Sequence, residues 1–513
     1  MSRYRSVLAA ALAAALLALA PPVPAAAEPG AGPGAGTDVG PGTGGGTGDP
    51  VFPGLGTTDY DALAYDLAFT YRADTRTVDG TTVLTARALT ALRALELDAL
   101  GLDVRSVRVD GRPAQFREHD EKLTVVPARP VRRGAALRVE VAYTADPRGA
   151  LPHTGWVVTP DGFAVAGQPD GAHTVFPCND RPGDKARFAV AVTAPDGLFG
   201  VANGLLTATE KHSDGSTTRR YASREPMATE LVQVSVGRYT VRESRGPGGI
   251  PLRDVVPTER AAALEPALAL TPGQLAWVEG HLGRFPFETY GLLPADTDDP
   301  AAFDFTGLET QTLTLYKPNF LRQPENLIGS HMVHELVHSW FGNSVTPGAW
   351  ADLWLNEGHA DFYGLMYRYE RGWPDSSGFT DLTARMRAVY AKGDQWRRDS
   401  GPVAAPTAAN LFDSQRYTGG ALVLFALRER VGAQVFDRIE RAFLERYRNG
   451  SATTADFLRT ADEVSGQRLS GFLTEWLYGE KTPPMPGHPD WTVDQVDRAA
   501  LRAADVPQGS GTL

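Results

Sequence analysis

The sequence predicts an α+β protein of more than one domain, with an antiparallel β domain over residues 51–248 followed by a mainly helical domain over 249–481. Apolar and polar residues alternate with period two in Leu95-Glu96-Leu97, in 104–109 ending at Asp110-Gly111, and in 137–143, which marks short strands joined by tight turns. Glycine and proline cluster at 247–251, and beyond Pro257 the apolar spacing becomes helical. At 513 residues, 42% of them hydrophobic, the chain is too long for one core and has apolar content for two or three.

Residues 1–27 read as a secretory signal, with Arg3 and Arg5 before an apolar run too short to span a bilayer comfortably and Ala25-Ala26-Ala27 as a cleavage site. The protein is therefore expected to be secreted, with no membrane attachment after signal cleavage. Residues 28–50 are mostly Gly, Pro, Ala and Thr, a composition that cannot bury enough apolar surface to offset its ordering entropy, and are expected to form a disordered linker. The β pattern continues through 163–167, 188–193 and 230–241. In the second domain the periodicity predicts a long helix over 259–283, a strand over 311–316, a helix without a breaker over 330–341, and helices over 360–371, 379–390, 417–430, 435–447, 454–464 and 469–478. Residues 482–513 turn Pro-rich and then polar, so a short, partly mobile tail is expected.

The formal net charge is −11, and cleavage of the signal would remove two arginines and no acids, so a nucleic-acid partner is not expected. Cys178 is the single cysteine, which excludes an intramolecular disulfide. With no Cys/His arrangement around it, it reads as a buried, inert thiol.

The chemistry concentrates in one stretch. His334, Glu335 and His338 form H-E-x-x-H, and on a helix the two imidazoles four residues apart face the same side and can share a metal ion. Alone, five such residues arise by chance and can be a solvated helix face. Support comes from Trp354-Leu355-Asn356-Glu357-Gly358, where Glu357 follows His338 after 18 intervening residues, enough for a turn near 343–348 and a returning helix. Two imidazoles and a carboxylate leave tetrahedral Zn²⁺ one open position, the arrangement of a catalytic site. Asp361, four residues after Glu357, could orient His334 through its free ring nitrogen or simply be an acid favoured in a first helical turn. His331 shares a face with His334 and reads as a packing or substrate-lining residue.

Taken with other segments, these residues resemble the zinc aminopeptidases of the aminopeptidase N family, gluzincin metallopeptidases that include leukotriene hydrolase. The resemblance rests on His334 to His338 with Trp340-Phe341-Gly342-Asn343, on 354–358, on Thr306-Gly307-Leu308-Glu309-Thr310 at the place of the G-A-M-E-N exopeptidase motif, on Phe176-Pro177-Cys178-Asn179-Asp180-Arg181-Pro182, and on Tyr417-Thr418-Gly419-Gly420-Ala421. It implies a saddle-like N-terminal β domain and a thermolysin-like catalytic domain holding one Zn²⁺ on His334, His338 and Glu357, with Glu335 as general base. It further implies that Glu309 and Gln168 bind the substrate's α-amine, that Gly307 lines the substrate site, and that Tyr417 stabilises the tetrahedral intermediate. The chain departs from the family pattern at Thr306 and Thr310, at Gly419 where lysine is usual, and at His359 where an aromatic or aliphatic residue is common, which puts pocket shape and specificity in question. It resembles a short form without the large C-terminal helical domain, so a more open site is expected.

The function expected is a secreted zinc aminopeptidase that removes N-terminal residues from peptides or proteins and works as a monomer. A thermolysin-like endopeptidase would use the same ligands and base without needing Glu309. An epoxide hydrolase has no motif in its favour, and a non-catalytic peptide-binding module would be expected to have lost Glu335, a ligand or Tyr417.

Overall fold

The computed structural model describes residues 48–149, 151, 154–295 and 305–494; the expected signal at 1–27 and most of the expected linker lie outside them. Gly48–Pro50, the end of that linker stretch, are placed. Asp49 is buried, its Oδ1 accepting from Val51 N at 2.8 Å and its Oδ2 from Trp350 N at 2.7 Å, so the chain is already anchored to the second domain there.

The first domain is built on an eight-stranded sheet in the order Leu205–Lys211, Thr217–Ala222, Arg187–Ala194, Tyr60–Arg72, Thr77–Ala88, Ala136–Ala145, Leu102–Val109, Arg112–Pro113. Tyr60–Arg72 alternates buried and more exposed residues along much of its length, the mark of a sheet with one face on a core. One pair differs from the antiparallel expectation: Tyr60–Arg72 runs parallel to Arg187–Ala194, Ala64 opposite Arg187 and Thr70 opposite Thr193. A parallel neighbour needs a long crossover, and more than a hundred intervening residues supply it. That crossover includes four other strands of the same sheet and strands of two further sheets. Trp156–Val158 and Phe163–Val165 join Phe199–Ala202 and Val234–Gly237 in a four-stranded sheet whose strands are buried nearly throughout.

The second domain contains α1 (Ala261–Leu268), α2 (Thr271–Leu282), α3 (Pro318–Leu321), α4 (Glu325–Val337), α5 (Trp354–Glu370), α6 (Leu382–Ser400), α7 (Thr418–Val431), α8 (Ala433–Arg446), α9 (Thr454–Ser465) and α10 (Ser470–Tyr478). The single helix predicted over 259–283 is two, because a continuous helix would drive the Pro272 ring into the Leu268 carbonyl; α1 ends at Leu268 and Pro272 sits in the first turn of α2. Besides the predicted strand near 311–316, seen as Thr314–Tyr316, a three-stranded sheet includes Leu292–Pro294 and Gly307–Leu308. Its residues Leu293, Leu308 and Leu315, with Leu313 just before its last strand, belong to the core of the β domain, so the two domains share a seam rather than a linker. The tail also differs at its start: Met485 and Trp491 are buried, and Trp491 stacks on Phe425 at 6.0 Å, because this part of the tail still carries large apolar side chains.

Helices α4, α5 and α7 carry the chemistry. α5 begins six residues before the predicted start at 360, with Gly358 inside it. A Cβ on Gly358 would come within 3.0 Å of the Gly420 backbone, and one on Gly420 within 2.8 Å of Gly358 Cα. The glycines that look like helix breakers are what lets α5 and α7 cross closely.

Candidate active site

α4 ends at Val337, earlier than the unbroken run to 341 predicted. His338 keeps helical angles as the residue after it, and Ser339 N donates to Leu336 O at 3.0 Å in a tightened last turn. The two imidazoles therefore still face one side. Glu357, in the first turn of α5, meets them: its Oε2 lies 3.3 Å from His334 Nε2 and 3.4 Å from His338 Nε2. All three residues are buried.

His338 Nδ1 lies 3.1 Å from the Phe341 carbonyl, to which it can donate, leaving Nε2 as the nitrogen that faces a metal ion. Asp361 Oδ1 faces His334 Nδ1 at 3.7 Å, beyond hydrogen-bond reach, while Asp361 Oδ2 accepts from Thr418 Oγ1 at 2.6 Å. Burial by itself would raise the Glu357 carboxyl, yet the His338 and His334 imidazoles hold it down at about 2.

The donor set fits zinc. Glu357 Oε2 is buried without a hydrogen-bond partner, although it sits between two imidazole nitrogens. A tetrahedron with bonds of about 2.0–2.1 Å has donor–donor edges of about 3.3–3.4 Å, which matches the separations seen.

Glu335 lies beside this set, its carboxylate against Gly307. A Cβ at Gly307 would come within 2.8 Å of Glu335 Oε1 and Cδ, so only glycine leaves room. Burial works to raise the Glu335 carboxyl, but His331, His334 and His338 hold it below its ordinary value, and its Oε2 has no partner. Glu309 follows the Gly307–Leu308 strand and is 4% exposed. Gln168 follows the Phe163–Val165 strand of the other domain, and its Nε2 donates to Glu309 Oε1 at 2.7 Å. Burial raises the Glu309 carboxyl; His338 opposes this, and Glu357 and Glu335 add to it. Tyr417 precedes α7, its ring parallel to that of His334 at 6.0 Å. Burial, then the nearby carboxylates of Glu357, Glu309 and Glu335, raise its phenol well above the ordinary value, so it remains a proton donor.

Several residues support the site in ways that the sequence does not mark. Asn343 Nδ2 donates to the Glu309 carbonyl at 2.7 Å, and Lys185 of the β domain donates to the carbonyls of Asn343 and Ser344 at 2.6 and 2.9 Å. Arg416, fully buried next to Tyr417, donates to the carbonyls of Ser400 and Pro402 and to Asn410 Oδ1. No periodicity marks such partners, because their roles depend on chain segments brought together only by folding. His359 is fully buried, stacked on Phe341 at 3.8 Å, with its Nε2 3.0 Å from Glu440 Oε2.

Two family models match the chain, the Peptidase M1 N-terminal domain over residues 61–231 and the Peptidase family M1 domain over residues 284–476. Glutamyl aminopeptidase of Mus musculus is 27% identical over 325 residues, 60% of this chain and 33% of that protein. The chain spans about a third of the length of that relative and of its human counterpart. Among solved structures, an M1 zinc metallopeptidase from Deinococcus radiodurans aligns with a TM-score of 0.73 at 28% identity, covering 86% of this chain and 98% of that one. A mutant of that protein bound to a Tyr-Ser-Ala substrate aligns with a TM-score of 0.74 at 27% identity over 86% of this chain and 99% of that one. With two models of one family matched in order over well over half of the sequence, around a His-His-Glu donor set and a β domain that reaches into it, the chain belongs to peptidase family M1.

Proposed function

We propose that this chain is a zinc-dependent aminopeptidase that hydrolyses the first peptide bond of peptide or protein N-termini. The observation that carries the reading is the Gln168–Glu309 pair beside Glu335 and the three metal donors. A buried acid bonded to an amide is suited to receive an ammonium group, and a substrate amine held there limits cutting to the terminal residue. The basic start and apolar run of residues 1–27 support export.

His334, His338 and Glu357 would hold the zinc ion. When bound, the ion supplies Lewis acidity, polarising the scissile carbonyl and lowering the pKa of water at its open position towards neutrality. Glu335 acts through Oε2, its oxygen without a partner, taking the proton of the attacking water and delivering it to the departing amine. The Tyr417 hydroxyl donates to the oxygen that gains charge as the carbonyl becomes tetrahedral. Glu309 accepts from the substrate ammonium, and Gln168, with Nε2 engaged on Glu309, offers its Oε1 to the same group.

A thermolysin-class endopeptidase would share the donors and the base but would have no use for a buried acid–amide pair beside them. The deciding measurement is turnover of a peptide with a free N-terminus against its N-acetylated form. Cleavage of the free peptide alone supports the aminopeptidase, and equal rates overturn it.

A further inference from the structure

His331 stands one helical turn before Glu335 on α4, and its Nε2 lies 3.2 Å from Glu335 Oε1. That ring nitrogen is out of solvent and makes no hydrogen bond to any described residue; its 3.2 Å contact with Oε1 is within donor–acceptor range but lacks the alignment of a hydrogen bond. The ring itself is held in place, parallel to the His334 ring at 5.5 Å and with Phe320 edge-on at 5.1 Å. On its other side the Glu335 carboxylate meets Gly307, where a Cβ would come within 2.8 Å of Oε1. The two oxygens of Glu335 are therefore unequal: Oε1 is confined between an imidazole and a glycine, and Oε2 is unpartnered.

We propose that His331 is a positioning residue for the general base, its Nε2–H holding Glu335 Oε1 so that Oε2 alone is presented to the reacting water. This rests on the aminopeptidase reading above and adds to it. A free carboxylate side chain can rotate either oxygen towards the water and can swing off line. A fixed donor on one oxygen removes that freedom before substrate arrives, and small misplacements of a reacting group are costly to rate. The alternative role for His331, which is 34% exposed, is contact with the substrate side chain.

Three substitutions separate these roles. His331→Phe keeps the flat ring and its stacking but has no donor. His331→Gln places an amide nitrogen near the Nε2 position, whereas His331→Asn places it nearer Nδ1. With zinc content and melting temperature as in the wild type, His331→Phe and His331→Asn are expected to lower kcat by about tenfold or more with KM within about twofold, and His331→Gln to recover most of kcat. In zinc-free protein labelled with ¹⁵N-histidine, the His331 ring N–H signal is expected to shift on Glu335→Ala. A wild-type kcat in His331→Phe, a loss confined to KM, failure of His331→Gln to recover activity, or an unmoved ring signal overturns the proposal. Glu335→Gln is measured alongside: if it is inactive while His331→Phe is fully active, only the positioning role fails, and if it is active, the aminopeptidase reading itself fails.

Discussion

Gln168 Nε2 donates to Glu309 Oε1 at 2.7 Å across a sequence separation of 141 residues, joining a turn of the β domain to the end of a short strand in the other domain. Charge-assisted hydrogen bonds of this kind contribute about 1.5–3 kcal/mol. Glu309→Gln and Gln168→Ala are each expected to reduce kcat/KM on free-amine peptides by about tenfold to a hundredfold and to narrow the preference over N-acetylated peptides. Steady-state kinetics on the paired substrates check this, and an unchanged preference in Glu309→Gln would contradict the amine-binding role.

Glu335→Gln keeps the shape of the side chain and removes its basicity. It is expected to bind zinc as the wild type does and to lose about 10²–10⁴ in kcat, the scale of a general base. Metal analysis together with kcat checks it. Chelator treatment of the wild type should abolish turnover and added zinc should restore it.

In the proposed mechanism Tyr417→Phe removes one donor from the place where charge develops, and the loss should appear in kcat rather than KM. Loss of a single donor of this type costs about 3 kcal/mol, or about a hundredfold in kcat. A variant with wild-type kcat would assign Tyr417 to packing against His334, with which its ring is parallel.

Gly358→Ala brings a Cβ to within 3.0 Å of the Gly420 backbone at the α5–α7 crossing. Backbone cannot yield as a flexible side chain can, so the expected cost is about 1–3 kcal/mol of stability, read as a lower melting temperature. Because Glu357 is the neighbouring residue, zinc affinity should fall as well. A melt and zinc titration indistinguishable from wild type would show that the crossing has slack.

Asp254 is 4% exposed, and burial raises its carboxyl to about 7 although the Leu292 N–H, 2.9 Å from Oδ1, works to lower it. Between its unfolded value of about 3.9 and about 7, the folded chain binds more protons here than the unfolded chain, so this residue's contribution to stability falls as pH rises through that window. Asp254→Asn keeps an acceptor for Leu292 and does not titrate. It should match the wild type near pH 4 and be more stable at pH 8, by a few kcal/mol at most. Melting curves at both pH values check the sign.

The metal site was legible because its signal is local. His334, Glu335 and His338 share one helical turn, and helix geometry alone turns that spacing into a common face even though α4 stops at Val337. Glu357 was legible from motif and gap, while the start of its helix was not: Gly358 reads as a breaker until Gly420 is known to lie against it. Gln168, Glu309 and Tyr417 were found only through resemblance to a family, since nothing in their own neighbourhoods distinguishes them from structural residues.

By itself, then, the sequence determined the β-then-helix order and brought His334 and His338 to one helix face with Glu335 beside them, which follows from short-range periodicity and spacing. Tertiary structure alone decided that Gln168 meets Glu309, that Lys185 and Asn343 support the same point, and that Oε1 rather than Oε2 of Glu335 is confined by His331 and Gly307. The physical reason is range: a helix fixes neighbours three and four residues away, whereas a hydrogen bond between domains depends on the packing of every segment between them.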